Sequence, residues 1–343
     1  MANLSTSYSP KEFQLAIAHE GTVGTASSTD ADYILINIDS IEMPSLNPQQ
    51  VLDVRHGAGR TLKEVDVFLS NKLTVKEISF SAIADATVLP KLVKNITQDA
   101  STFAIEAAYD PTDIKVGDTT SDADTGTFSV LVQSPEANNS MLFTGCVLTS
   151  LTLNGDISEE SGRIKMSGTF KTGMIPSFTS NLAPTSTAHF NTNYFTTDYA
   201  DDAVTTDADI VIAGVTSPIL KSFSCVVEND AQFMGFDQNG NYQIIARALP
   251  EVAVTFDAVV KYDADTDGLV ASFESQDGSS PVVNTLTAKT DVSGDVPRNI
   301  DLSIPKAILT DVSFSEEEAM FLSVSTKAVA GTSGNLIGIT IEP

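Results

Sequence analysis

Three aspartates at alternate positions, Asp263, Asp265 and Asp267, are followed by Gly268 and, at the twelfth place, by Glu274. This is the spacing of a calcium loop, D-x-D-x-D-G-x5-E. The aspartates would supply hard oxygen ligands, the glycine a sharp turn and the glutamate a bidentate closure. Val270 fills the usual apolar eighth place. A calcium loop of this kind needs a helix on both sides, however, and residues 251–262 (EVAVTFDAVVKY) alternate as a strand. The flanks favour an Asp-rich strand-to-helix turn with Asp267 as N-cap. A calcium-dependent binding module built on Asp263, Asp265, Asp267 and Glu274 stands as the competing reading.

No other constellation forms. Gly57, Gly59 and Arg60 hint at a phosphate loop, but the run lacks the P-loop spacing and its lysine. His19, His56 and His189 lie far apart, without metal-ligand spacing. Cys146 and Cys225 belong to no CxxC or Cys/His cluster, and two cysteines make no disulfide framework. Each reads as a buried thiol on a strand. There is no G-x-S-x-G elbow. We expect no catalytic residue, no metal and no cofactor, and hence no enzyme.

Charge narrows the partners. The net charge is -26. Residues 1–180 hold 12 Lys and Arg against 22 Asp and Glu, and residues 181–343 hold 7 against 23. Both halves are acidic, so a chain of this kind repels nucleic acid instead of gripping it. No apolar run is long enough to cross a bilayer as a helix. The start, MANLSTSYSPKEFQL, lacks the basic-then-apolar layout of a signal peptide. The expectation is synthesis in a cytoplasm, without membrane partners.

Positioning falls to strands. In residues 143–171, FTGCVLTSLTLNGDISEESGRIKMSGTFK, Leu151 and Leu153 alternate with polar residues before a Gly/Asp/Ser/Glu turn. Ile164, Met166, Gly168 and Phe170 alternate after it, which makes a β-hairpin. Residues 307–327, AILTDVSFSEEEAMFLSVSTK, repeat the pattern. Leu309, Val312 and Phe314 match Leu148, Leu151 and Leu153, while Met320, Leu322 and Val324 match Ile164, Met166 and Gly168. The rest of the chain replays itself in the same order. Residues 33–41 match 219–227 as strands, and the polar excursions 43–61 and 229–241 follow them. Residues 62–69 match 242–248, and 73–84 match 251–262. Helical spacing follows in each half: Val88, Leu89, Leu92, Val93 and Ile96, with Asp85 or Thr87 as N-cap, then Leu269, Val270 and Phe273. Strands at 103–108 and 127–133 precede the first hairpin, and strands at 282–288 and 299–304 the second. The fold class is mainly β: two tandem β-sandwich domains, each with one α-helix. The boundaries are an N-terminal arm at 1–32, copy 1 at 33–175, an interdomain linker at 176–209, copy 2 at 210–330 and a C-terminal tail at 331–343. Within the arm, Ser9-Pro10-Lys11-Glu12 caps a short helix through Ala18. In the linker, Phe190, Tyr194, Phe195 and Tyr199 offer aromatic anchors.

With this duplicated order in hand, the chain resembles the tail tube proteins (major tail proteins) of long-tailed bacteriophages. The likeness lies in AIAHEGTVGTASS (residues 16–28), in the first hairpin, and in residues 218–275. The resemblance implies tail-tube-type sandwich domains and, with two per chain, homotrimeric pseudo-hexameric rings stacked into a tube for DNA ejection. It implies as partners the chain itself, a tape measure protein, and tail terminator or tip proteins. DNA would be only a passenger in the lumen, kept from sticking by acidic lining residues. It implies a place in the virion tail. The rival readings are a secreted β-sandwich surface or fibre subunit and the calcium module above.

Overall fold

Alternation sets the strands. In Lys76–Ile83, Lys165–Thr172 and Ala253–Lys261 every second side chain is buried, as period two requires of a sheet with one covered face. The computed structural model describes residues 8–42, 49–52, 67–70, 75–85, 88–97, 127–136, 138–159, 163–184, 195–196, 210–229, 233–236, 242–244, 253–275, 281–290, 299–316, 320–329 and 336–341.

In chain order these residues form β1 (Gln14–His19), β2 (Ile34–Ile36), β3 (Ile38–Glu42), β4 (Gln49–Leu52), β5 (Val67–Ser70), β6 (Lys76–Ile83), α1 (Leu89–Thr97), β7 (Phe128–Gln133), β8 (Ser140–Asp156), β9 (Lys165–Thr172) and β10 (Ser177–Thr179). They continue with β11 (Phe195–Thr196), β12 (Ile210–Ile212), β13 (Val215–Thr216), β14 (Leu220–Glu228), β15 (Phe233–Phe236), β16 (Tyr242–Ile244), β17 (Ala253–Lys261), α2 (Gly268–Ser275), β18 (Val282–Thr290), β19 (Asn299–Glu316), β20 (Met320–Ala328) and β21 (Gly338–Ile341). The fold is mainly β.

One antiparallel run crosses the whole chain in the order β3–β6–β9–β8–β14–β17–β20–β19. Its second four strands repeat the pairing order of its first four. The long strands β8 and β19 also serve a second layer with their N-terminal parts. The first such layer is β2–β1–β7–β8–β10. The other is β21–β19–β18–β12–β13, with β11 also on β18. The pairs β4–β5 and β15–β16 stand apart as two-stranded ladders, each between equivalent strands of the long run.

A strand shared by two layers must turn a corner. β8 does so at Gly145, with φ +60, where the ladder to β7 slips. The carboxylate of Glu20, fully buried, holds this corner. It accepts from Gly145 N–H at 2.9 Å, Gly24 N–H at 2.7 Å, and the Thr127 and Ser129 hydroxyls at 2.8 Å each. A buried charge persists only when its oxygens are met in this way. The corner of β19 lies at Pro305, where a missing N–H suits a ladder irregularity. There Asn284 takes the bracing role: its Oδ1 accepts Ala213 N–H at 2.7 Å and its Nδ2 donates to Thr326 Oγ1 at 2.8 Å.

Both layers face a shared core that takes in Ile17, Val130, Phe143, Ile78 and Phe170 as well as Phe256, Leu302 and Val324. All five apolar positions of helical spacing around α1 are buried, and Asp85 Oδ1 accepts Val88 N–H at 3.2 Å. Packing volume is traded between the halves. Phe80 lies opposite Gly168, where an added Cβ would come within 3.0 Å of Phe80 and Leu148. At the equivalent place Ala258 lies opposite Val324.

Several segments differ from expectation. The turn Pro10–Glu12 has its capping box, with Ser9 N–H bonded to Glu12, but ends after one turn. Residues beyond Phe13 form β1 instead of helix, because both faces are covered. Leu15 and Ile17 reach the main core, while Ala16 and Ala18 pack with Tyr33 and Leu131 on the other side. Such an apolar run has no readable period. Residues 33–41 are two strands in two layers, broken at Asn37. The excursions 43–61 and 229–241 contribute β4 and β15, partners of β5 and β16. Within 176–209, β10 docks on β8, and Phe195 pairs with Thr290. Phe190, Tyr194 and Tyr199 lie outside the described residues, as do 103–108. Residues 338–341 are β21, on β19, and Ile337 is fully buried.

The traded volume gives a test. Gly168→Val alone should cost about 2 kcal/mol by overpacking against Phe80. Combined with Phe80→Ala, it should regain most of that stability in denaturant titrations, a coupling that additive substitutions would not show.

Candidate functional site

The two halves are joined along an edge. β14 pairs antiparallel with the C-terminal part of β8, from Ser222 opposite Asp156 to Glu228 opposite Ser150. Seven consecutive register pairs make the seam, and Cys225 and Val227 bury Leu153 and Leu151 beneath it. Asn229 closes one end. It is buried, its N–H donates to Thr149 O at 2.9 Å, and its Nδ2 donates to Ile96 O at 2.8 Å, near the C-terminus of α1. Thr149 is the bulged residue between Leu148 and Ser150.

The same two kinds of edge recur at the ends of the eight-stranded run, without a partner strand among the described residues. β3 stands where β14 stands in the second half. Each follows a bulge, between Ile38 and Ser40 and between Leu220 and Ser222. β19 stands where β8 stands. Its bulge between Leu309 and Asp311 matches that at Thr149, and Phe314 opposite Leu322 matches Leu153 opposite Met166.

Equivalent places differ in exposure. Leu153, beneath the seam, is 2% exposed and Phe314 is 50% exposed. Ile164 is 1% exposed and its equivalent Met320 is 49% exposed. Ala84 N–H donates to Ile164 O at 2.7 Å, and Tyr262 N–H to Met320 O at 3.0 Å. Ala84 is fully buried; Tyr262 is half-buried and meets Phe314 edge-on, with ring centroids 5.3 Å apart. On β3, Ile38 and Ile41 are half-buried where Leu220 and Phe223 are buried. An open edge with adjacent apolar side chains is a surface made for strand addition.

The Asp-rich turn has a local explanation. Thr266, fully buried, donates to Lys261 O at 2.9 Å and accepts from Asp263 N–H at 2.9 Å. Asp263 Oδ1 accepts from Asp265 N–H at 3.2 Å, and its Oδ2 pairs with Lys261 Nζ at 3.7 Å. α2 begins at Gly268, the sixth place of the motif. Glu274 therefore stands roughly 9 Å along a helix axis instead of closing the loop. Among the described residues no group of three or more His, Cys, Asp or Glu is placed to hold an ion.

The thiols lie in the core. Burial, then the nearby Glu20 charge, pushes Cys146 well above the ordinary thiol range. Burial, then Asp257, pushes Cys225 up to about 12. Both stay protonated near neutrality and are poor nucleophiles. They sit on β8 and β14, which are not equivalent strands of the two halves. His19, on β1, packs edge-on against Phe128. His56, His189, Gly57, Gly59 and Arg60 lie outside the described residues.

No protein-family model matches the chain, and no curated protein matches it. The repeated edge is therefore the site whose chemistry the molecule itself defines.

For the Asp-rich turn the expected result is inertness to calcium. Millimolar calcium should move the melting temperature by less than about 2 °C, and Asp265→Ala should not alter that response. A rise that disappears in Asp265→Ala would reinstate a bound ion by mass action.

Proposed function

We propose that the chain is a virion structural protein of the long-tailed-bacteriophage tail tube kind. It consists of two tandem tail-tube-type β-sandwich domains, each with one α-helix, the first taking in β1 to β10 and the second β11 to β21. Copies join edge to edge, β19 of one to β3 of the next, repeating between chains the seam that β8 and β14 make within one. Head-to-tail joining closes a ring when the rotation allows. With two domains per chain, three chains give the pseudo-hexameric ring, and stacked rings give a conduit for DNA. By the same resemblance the tube meets a tape measure protein in its bore and terminator or tip proteins at its ends.

The observation that carries this reading is the contrast between Leu153, sealed beneath β14, and Phe314, open at the equivalent place on β19. A half-exposed phenylalanine on an unpaired edge is a liability in a lone chain and an anchor in an assembly. The ladders β4–β5 and β15–β16 leave the long run at matched places, so a ring would present them at regular intervals for stacking.

The face of the long run turned away from the core modifies one expectation. It carries hydroxyls such as Ser79, Ser81, Ser167 and Thr169, with Ser79 and Thr169 bonded at 3.0 Å. Lys171 there pairs with Glu77 at 3.5 Å. If this face lines the bore, the lining mixes hydroxyls with charges of both signs, Glu77, Asp257, Lys165 and Lys171 among them, instead of being chiefly acidic.

Electron microscopy and sedimentation of purified protein test the proposal, with tubes of constant bore expected. Phe314→Glu should leave the chain folded but abolish ring formation, whereas Leu153→Glu should unfold it. Deleting residues 45–60, or 232–239, should leave trimers that no longer stack. Normal tubes from Phe314→Glu would sink the edge-joining reading, and normal tubes after both deletions the stacking role.

A further inference from the structure

The sealed seam and the two open edges differ in charge. Aligning β3 with β14 by their bulges places Asp39 at Lys221, Ser40 at Ser222, Ile41 at Phe223 and Glu42 at Ser224. Aligning β19 with β8 places Asp311 at Ser150 and Glu316 at Gly155. At these positions the seam within the chain has one lysine, two serines and a glycine, and the open edges have four acidic residues and no cation; the seam's own acids, Asp156 and Glu228, lie at its two ends, where the equivalent residues 317 and 46 fall outside the described residues. Asp39, Glu42 and Asp311 are exposed. By the register of the seam, Ile41 of one copy would stand opposite Glu316 of another, and Glu42 beside it opposite Ser315. In that register no two of these carboxylates face each other directly, but joining would gather all four into one ladder whose strands lie about 4.8 Å apart.

We propose that these carboxylates gate the joining of copies, so that the open edges stay apart at low ionic strength and pair when salt screens them. The proposal rests on the edge-joining reading above and adds its control. Charges on an edge strand are a known guard against indiscriminate pairing. Between exposed groups such a guard is sensitive to salt, since screening shortens to about 8 Å at 0.15 M and about 3 Å at 1 M. The seam within the chain needs no guard, and at its equivalent of Asp39 it has Lys221, whose Nζ sits 4.9 Å from the Phe321 ring centroid.

The test is sedimentation velocity of the full chain across a sodium chloride series. Wild type should pass from single chains to larger assemblies as salt rises. Asp39→Lys, which restores the cation found at Lys221, should lower the midpoint at least roughly twofold, and Glu42→Lys should act alike. Asp32→Lys makes the same change in net charge at an exposed residue beyond the end of β2 remote from β3, outside both edge strands, and should leave the midpoint in place. Assembly that ignores salt in wild type and variants overturns the gate while leaving edge joining intact. An equal shift with Asp32→Lys assigns the effect to net charge and also overturns it. Single chains at every salt concentration, in wild type and variants, overturn the gate and the edge-joining reading together.

Discussion

A strand that belongs to two layers cannot stay straight, and β8 is such a strand. Its first residues pair with β7 and β10, its last with β9 and β14. Everything else hangs on where it bends. The bend needs a residue that tolerates positive φ, and Gly145 supplies it. It also frees main-chain donors that a buried acceptor must meet, and Glu20 meets one of them. The thioether of Met174 lies so close to Gly145 and Gly24 that a side chain at either would collide with it. One carboxylate, two glycines and one methionine thus fix the angle between the layers, and with it the direction in which the far end of β8 presents itself to β14.

The second half reaches the same geometry by other chemistry. Its corner has a proline instead of a glycine and is braced by Asn284, not a carboxylate. Its core replaces the pair Phe80 and Gly168 by Ala258 and Val324. Cores tolerate such exchanges when summed volume is kept. The backbone register is preserved where side-chain identity is not, which is why the halves share so little sequence and so much pairing.

The hairpins were legible because their signal is local. Leu151 and Leu153, with Gly168 and Met166 across the turn, take the register that alternation assigns, and Val312 and Phe314 do the same with Val324 and Leu322. α1 was legible for the same reason: its apolar spacing is its packing. β1 was not, since a strand covered on both faces loses its period. β10 and β21 are strands chiefly because a partner edge is there to receive them. Glu20 carries no pattern of its own; the only clue was an isolated acid between apolar residues and glycine-rich loop. The open edges could not be read at all, because which strand lacks a neighbour is a property of the whole pairing order.

Fusing two repeats into one chain has a kinetic consequence. The β8–β14 seam forms between parts already tethered, at an effective concentration on the order of millimolar. It therefore does not respond to dilution, whereas any joining of β3 to β19 does. A closed ring of such chains can contain only an even number of repeats, and it can come apart only at alternate seams. In a ring so joined, parity would be written into the covalent chain, and the smallest unit to dissociate would be a matched pair.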